Sequence, residues 1–265
     1  MAQPTTARRI AETSSFLTAQ HCADFARDGF VYVPAAFSPA EMRAITGWSE
    51  EVQGWTEVPG RHMAYYEDDL AHPGRRVLQR IENFVPYHAG FERILSDRRM
   101  LGAVEQLFGD PAVLFKEKIN FKLPGGDGFK PHQDQQAGWW NYAPIFITAL
   151  VTIDEQTVEN GCLELAAGHH KKGMVGGAWT PLTEKDMADM KFVPYPTKPG
   201  DVMYFDSFAP HGSAPNRTDR PRRVLYITYN RRADGDHRLP YYADKRKSFP
   251  PDIERAPGTQ YKFRV

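Results

Sequence analysis

The chain has 265 residues, 41% of them hydrophobic and 25% charged, and its 33 Lys and Arg are balanced by 33 Asp and Glu. That length can bury a sizeable core in one domain, while a net charge of zero gives no electrostatic case for a nucleic acid or an anionic membrane surface as partner. With Cys22 and Cys162 as the two cysteines, a disulfide framework is not expected and a reduced compartment fits.

Residues 1–10 lack the uninterrupted apolar core of a signal peptide, and no later stretch is long enough to span a bilayer, so a cytoplasmic location is expected. Thr18 predicts the cap of a helix that runs through Phe25 and stops at Gly29. Ser38-Pro39-Ala40-Glu41 spells a capping box with proline at the first helical position, and a third helix is expected over 97–108, ending at Gly109. Between these, residues 59–69 mix Arg61, His62, Tyr65, Tyr66, Glu67, Asp68 and Asp69. This mixture is too polar for core and predicts a loop, either plain surface or a lid over a small substrate.

After Ala112 the pattern changes to short apolar or alternating runs between Gly/Pro turns, at 113–121, 145–153, 162–165, 201–205 and 224–229. The expected fold is mainly β with flanking helices, a double-stranded β-helix (a cupin-like jelly roll). It is read as a single domain over 1–265, with a helical part at about 16–110, a jelly-roll core at about 111–232 and a C-terminal tail at 233–265.

In the run 115–122, alternation puts Lys116, Lys118, Asn120 and Lys122 on one face and Phe115, Ile119 and Phe121 on the other. A cationic strand face is ordinarily solvated. This one leads straight into His132-Gln133-Asp134, which favours a face turned to the barrel mouth, where Lys118 and Asn120 meet anionic groups.

Two histidines and one carboxylate, His132, Asp134 and His211, can hold one face of an iron(II) ion and leave its other positions open, whereas a structural zinc site is normally closed. His211 follows a turn and an apolar strand at 198–205, and Arg222 follows on the next strand-like run. A guanidinium grips a carboxylate through two parallel hydrogen bonds, so Arg222 is a natural counter-charge for the far carboxylate of 2-oxoglutarate.

These motifs, with Asn120-Phe121-Lys122, Glu159-Asn160-Gly161-Cys162-Leu163 and Gly168-His169-His170-Lys171, resemble the phytanoyl-CoA dioxygenase superfamily of non-haem iron, 2-oxoglutarate-dependent oxygenases, over most of the chain. The resemblance implies iron ligation by His132, Asp134 and His211, co-substrate contacts from Arg222, Ser213 and Asn120, and O2 as oxidant. It selects Arg222 over Arg223 as the inward residue, and places Arg80 near a position where relatives carry a 2-oxoglutarate-binding lysine. It gives His169 and His170 a loop role. Retention of Asp134 favours hydroxylation over halogenation. Trp139 and Trp140 either wall the pocket or pack in the core.

Within the superfamily, residues 60–63, 78–84, 115–122 and 132–139 resemble the branch that hydroxylates 2-aminoethylphosphonate at the carbon next to phosphorus. The implied partner is a small molecule, met by Lys116 and Gln133 and, from the polar loop, by Arg61, His62, Tyr65 and Glu67. Hydroxylation of an ectoine-like or acyl-CoA substrate, and a catalytically silent metal-binding cupin, stay open as alternatives. Oligomeric state is not legible.

Overall fold

Thr18 and Ser38 each close a capping box. Thr18 Oγ1 accepts from His21 N while His21 Nδ1 accepts from Thr18 N, opening helix α1 (Ala19–Asp28), which ends at Gly29 with φ +84°. Ser38 and Glu41 do the same for α2 (Pro39–Gln53). The structure is a computed structural model and describes residues 15–261, so the reading of residues 1–10 lies outside it.

The next helices differ from expectation. Helix α3 (Ala89–Leu95) carries no Ser, Thr or Asp cap, because the imidazole of His88 accepts from the Gly90 and Phe91 amides instead. The single helix expected over 97–108 divides into a π-helical turn, Arg98–Gly102, and α4 (Ala103–Phe108), which stops at Gly109.

Among the described residues eleven strands follow one another in chain order: β1 (Phe30–Val33), β2 (Met63–Asp68), β3 (Arg76–Glu82), β4 (Ala112–Asn120), β5 (Phe129–His132), β6 (Ile147–Thr152), β7 (Leu163–Ala166), β8 (Phe192–Tyr195), β9 (Val202–Asp206), β10 (His211–Ser213) and β11 (Val224–Arg231). They form a seven-stranded sheet, β1-β9-β6-β11-β4-β3-β2, and a four-stranded sheet, β5-β10-β7-β8, with every pairing antiparallel. This is the expected jelly roll.

Two expectations are corrected here. The polar loop at 59–69 is in good part the edge strand β2, with Met63, Ala64 and Tyr65 buried, because pairing with β3 gives its alternate residues a dry face. The C-terminal tail contains helix α5 (Arg238–Ser248), which packs on β4.

Cross-strand partners share a face. Lys118 stands opposite Tyr226 and Glu82, Asn120 opposite Val224 and Arg80, and Arg80 opposite Tyr65. This inner face looks toward the small sheet, where Leu150, Met203, Phe205, Val224 and Tyr226 pack with Leu163 and Leu165. The outer face, with Ile81, Ile119, Phe121, Leu225 and Ile227, packs under the helices through Phe25, Ile45, Phe91 and Val104. Full burial of each such side chain contributes roughly 1.5–3 kcal/mol. Phe115 departs from its expected face. A register shift opposite Thr228 and Tyr229 makes it a bulge residue, turned to the same side as Lys116 and packed on Trp139 and Tyr241.

Candidate active site

His132 ends β5, His211 begins β10, and the antiparallel register sets them directly opposite each other, with ring centroids 4.3 Å apart. Each ring turns its Nδ1 to a backbone carbonyl, His132 to Lys130 O at 2.7 Å and His211 to Ala209 O at 3.0 Å. Donation from Nδ1–H fixes the tautomer that leaves the Nε2 lone pair for a metal. Asp134 opens a short 3-10 turn, Asp134–Ala137, and one ligand atom from each of the three residues lies within 4.8 Å of the others. Burial, with His211 beside it, pushes the His132 pKa down to about 3, and burial lowers that of His211. Both imidazoles are therefore neutral, as metal ligands must be.

Arg222 is buried, and its Nε and Nη2 have no hydrogen-bond partner among the described residues. Its neighbour on the same face is Tyr226, whose hydroxyl partly offsets the burial that disfavours the charge. Arg223 goes to the other face, where Asp154 takes its Nε at 2.8 Å and its Nη2 at 2.9 Å. Asn120 Oδ1 is also buried without a partner among the described residues. A buried guanidinium that leaves two nitrogens without a partner is unfavourable, and an anion would satisfy them. A keto-dicarboxylate chelating the metal at one end and reaching Arg222 with the other fits the orphaned atoms and the donor set.

Lys122 leaves the strand at φ +34°. Its Nζ donates to Ser213 Oγ at 2.7 Å, Ala214 O at 2.6 Å and Gly161 O at 3.3 Å. Gly161 is required there, since a Cβ at its φ of +72° would lie 2.0 Å from Ala214 O. Ser213 is thus held beside the Arg222 end by a lysine placed on the cationic face by sequence.

Lys118 is the middle of the wall. Its Nζ lies over the rings of Tyr226 at 4.8 Å and Phe129 at 6.0 Å and forms no ion pair among the described residues. Burial and then Lys116 lower its pKa to about 8, against the pull of Asp134. Farther along, Lys116 and Arg80 do not stand free: both lie against Glu82, and Arg80 also caps the ring of Tyr65 at 4.4 Å.

Other expected contacts are placed elsewhere. Gln133 is spent on backbone, donating to Gly173 O and Phe208 O and accepting from Val175 N, so its amide braces a loop with both N–H donors taken. Arg61 and His62 lie in the turn before β2 and line a separate cleft of about 270 Å³ with Glu51, Trp55 and Tyr87. Tyr65 does face inward, but its hydroxyl donates to Phe249 O at 3.0 Å. Glu67 accepts from Gln79 Nε2 at 2.8 Å near Lys122. Trp139 packs with Phe115 and Phe146 under Lys116, whereas Trp140 is exposed. His169 and His170 sit on a 3-10 turn after β7, and Cys22 and Cys162 are both free.

Sequence reasoning missed α5. It brings Tyr241 to 2.9 Å from Lys116 Nζ, Lys245 to 2.5 Å from Glu82, and Arg238 and Tyr242 to Glu117. The signal was present: Arg238, Tyr241, Tyr242 and Lys245 recur at the i, i+3, i+4, i+7 spacing of one helix face.

Comparison with known proteins adds family-level context. The family model described as Phytanoyl-CoA dioxygenase (PhyH) matches residues 25–224. A 2-aminoethylphosphonate dioxygenase from uncultured bacterium HF130_AEPn_1 is 40% identical over 93% of this chain and 94% of its own. A methylphosphonate hydroxylase from Gimesia maris is 38% identical over 83% of this chain and 84% of its own. Among solved structures, EctD from S. alaskensis with 2-oxoglutarate and 5-hydroxyectoine superposes with a TM-score of 0.70 at 21% identity, over 84% of this chain and 79% of its own, a likeness of fold.

Proposed function

Since the chain belongs to the phytanoyl-CoA dioxygenase family, and so to the iron(II)- and 2-oxoglutarate-dependent dioxygenases, we propose that it hydroxylates a small organophosphonate, 2-aminoethylphosphonate, at the carbon next to phosphorus. The observation that carries the substrate reading is Lys118, a half-buried lysine on the inner face in the field of Asp134, with no ion pair among the described residues. The two relatives named for phosphonates, at 40% and 38% identity, support it.

In this reading His132, Asp134 and His211 hold the iron. The bound metal, with 2-oxoglutarate and dioxygen, supplies the oxidation of a C–H bond to C–OH while the co-substrate is converted to succinate and carbon dioxide. The protein does the positioning. Arg222 takes the far carboxylate of 2-oxoglutarate through Nε and Nη2, with Asn120 and the Lys122-anchored Ser213 beside it. Lys118 draws the phosphonate toward the metal face, and Phe205, Phe129 and Tyr226 keep water from the reacting carbon. Among the described residues no helix is long and apolar enough to cross a membrane.

The test is a panel of 2-aminoethylphosphonate, methylphosphonate, ectoine and an acyl-CoA. Phosphorus NMR should show a new hydroxyphosphonate resonance, with succinate formed in step, for 2-aminoethylphosphonate. Product from methylphosphonate alone would move the reading to a simple alkylphosphonate. Product from ectoine or the thioester alone would refute a phosphonate substrate.

A further inference from the structure

On the inner wall one carboxylate answers three cations. Glu82 accepts from Arg80 Nε at 2.7 Å and Lys245 Nζ at 2.5 Å, and Lys116 Nζ stands 3.5 Å from it. The most exposed of these side chains, Lys245, is 13% accessible. Lys116 and Lys245 thus share one carboxylate in a nearly dry place, where burial, with Lys116 and Arg80 alongside, holds the Lys245 ammonium well below its ordinary pKa against the pull of Glu82, so an anion between the two lysines would complete the set. Glu117, a second carboxylate nearby, is already taken by Arg238 and the Tyr242 hydroxyl.

The cluster lies on the same sheet face as Lys118. Lys116 lies one alternate position from Lys118, about 7 Å along the strand, and Glu82 pairs directly with Lys118 in the register of β3 and β4. Tyr241 Oη accepts from Lys116 Nζ at 2.9 Å and sits 3.5 Å from Lys245 Nζ. With its oxygen accepting, its own proton is available to an acceptor. Lys245 and Tyr241 both come from α5, which begins at residue 238, beyond the family match that ends at 224.

We propose that α5 is a specificity element: Lys245, Lys116 and the Tyr241 hydroxyl bind the phosphonate group of the substrate, two ammonium charges meeting its two negative charges, with Glu82 as the positioning residue that holds both lysines. This rests on the phosphonate reading. It adds that recognition of the dianion is completed from the C-terminal helix, and that Lys118 is not its sole cation.

The experiment uses the iron-loaded enzyme and its Lys245→Met, Lys245→Arg and Tyr241→Phe variants. KM is measured separately for 2-aminoethylphosphonate and for 2-oxoglutarate, and calorimetry without oxygen gives phosphonate affinity free of turnover. Loss of one charge-assisted hydrogen bond should raise the phosphonate KM of Lys245→Met by roughly 10–100-fold, weaken calorimetric binding by a like factor, and leave the 2-oxoglutarate KM nearly unchanged. Lys245→Arg should recover most of the loss, and Tyr241→Phe should show a smaller effect of the same kind. A Lys245→Met enzyme with unchanged phosphonate KM, or with both KM values raised alike and a lowered melting temperature not rescued by arginine, would overturn the role of α5. If the wild type neither binds nor oxidises any phosphonate, the substrate reading itself fails, and that outcome is visible before any variant is made.

Discussion

Strand β4 carries Lys116 near α5, Lys122 follows two residues beyond the strand's end on the Arg222 side, and the two lysines answer burial in opposite ways. Burial works against the ammonium at both. At Lys116 the adjacent Glu82 overrides it and the pKa rises, whereas at Lys122 burial is reinforced by Arg222 and the pKa falls to about 6. The neighbouring charge, and not depth, decides what each lysine is. One end is therefore a cation-rich cluster braced by a carboxylate, suited to a dianion. The other is a single permanent guanidinium with orphaned donors, suited to one carboxylate.

The largest break should come at the metal ligands between the two ends. His132→Ala or His211→Ala is expected to bring succinate formation to background and to reduce bound iron, read by metal analysis of the purified variant. Turnover at the wild-type rate in either variant would remove the metal from the argument. Glu82→Gln should cost stability next, since it leaves three buried cations without their carboxylate; breaking such a set costs about 3–5 kcal/mol. Urea denaturation measures the loss, and added phosphate should restore part of it. A neutral effect would mean that the α5 end does not carry the charge assigned to it.

Arg222→Ala should raise the 2-oxoglutarate KM about 100-fold, the equivalent of one or two charge-assisted hydrogen bonds of roughly 1.5–3 kcal/mol each. Arg223→Ala should leave that KM alone and lower stability by about 1 kcal/mol through loss of its partly exposed pair with Asp154. Equal KM effects from the two arginines would show that the inward residue has been misassigned.

The smallest effect concerns Lys122 and pH. Its folded pKa, about 6, is below the ordinary lysine value of 10.5. Between these values the unfolded chain binds a proton that the native protein does not, so this group makes stability rise with pH across that window. The wild type should gain stability relative to Lys122→Met between pH 7 and 9, by at most about 1.4 kcal/mol per pH unit. A flat difference would mean that the carbonyls of Gly161 and Ala214 and the Ser213 hydroxyl hold the ammonium charged in spite of Arg222.

The elements legible in advance are those whose signal is local. Thr18, Ser38 and Glu41 announce their helices because a cap is made within one turn, and the motif-bearing strands show as short apolar runs between turn residues. The same holds for the His132-Gln133-Asp134 triplet: its two-residue spacing on a strand end already places two ligands together, and His211 needed only the register to meet them. What escaped depended on partners far away. Residues 61–68 look too polar for a core strand until β3 supplies a pairing edge, His88 is an unusual cap, and the bulge that turns Phe115 is visible only against β11.

The sequence by itself thus determined the chemistry of the centre, since two imidazoles, a carboxylate and a later arginine have few other joint uses, and it determined the jelly-roll class through strand periodicity. Tertiary structure decided the charge and the direction of everything around that centre. Gln133 became a loop brace, Arg80 an ion-pair partner of Glu82, and Lys245 a second basic partner of Glu82 brought from far along the chain, because electrostatic and hydrogen-bond energies depend on distances of a few ångströms. Periodicity tells which face a side chain occupies; the packing of other elements on that face tells what the side chain does there.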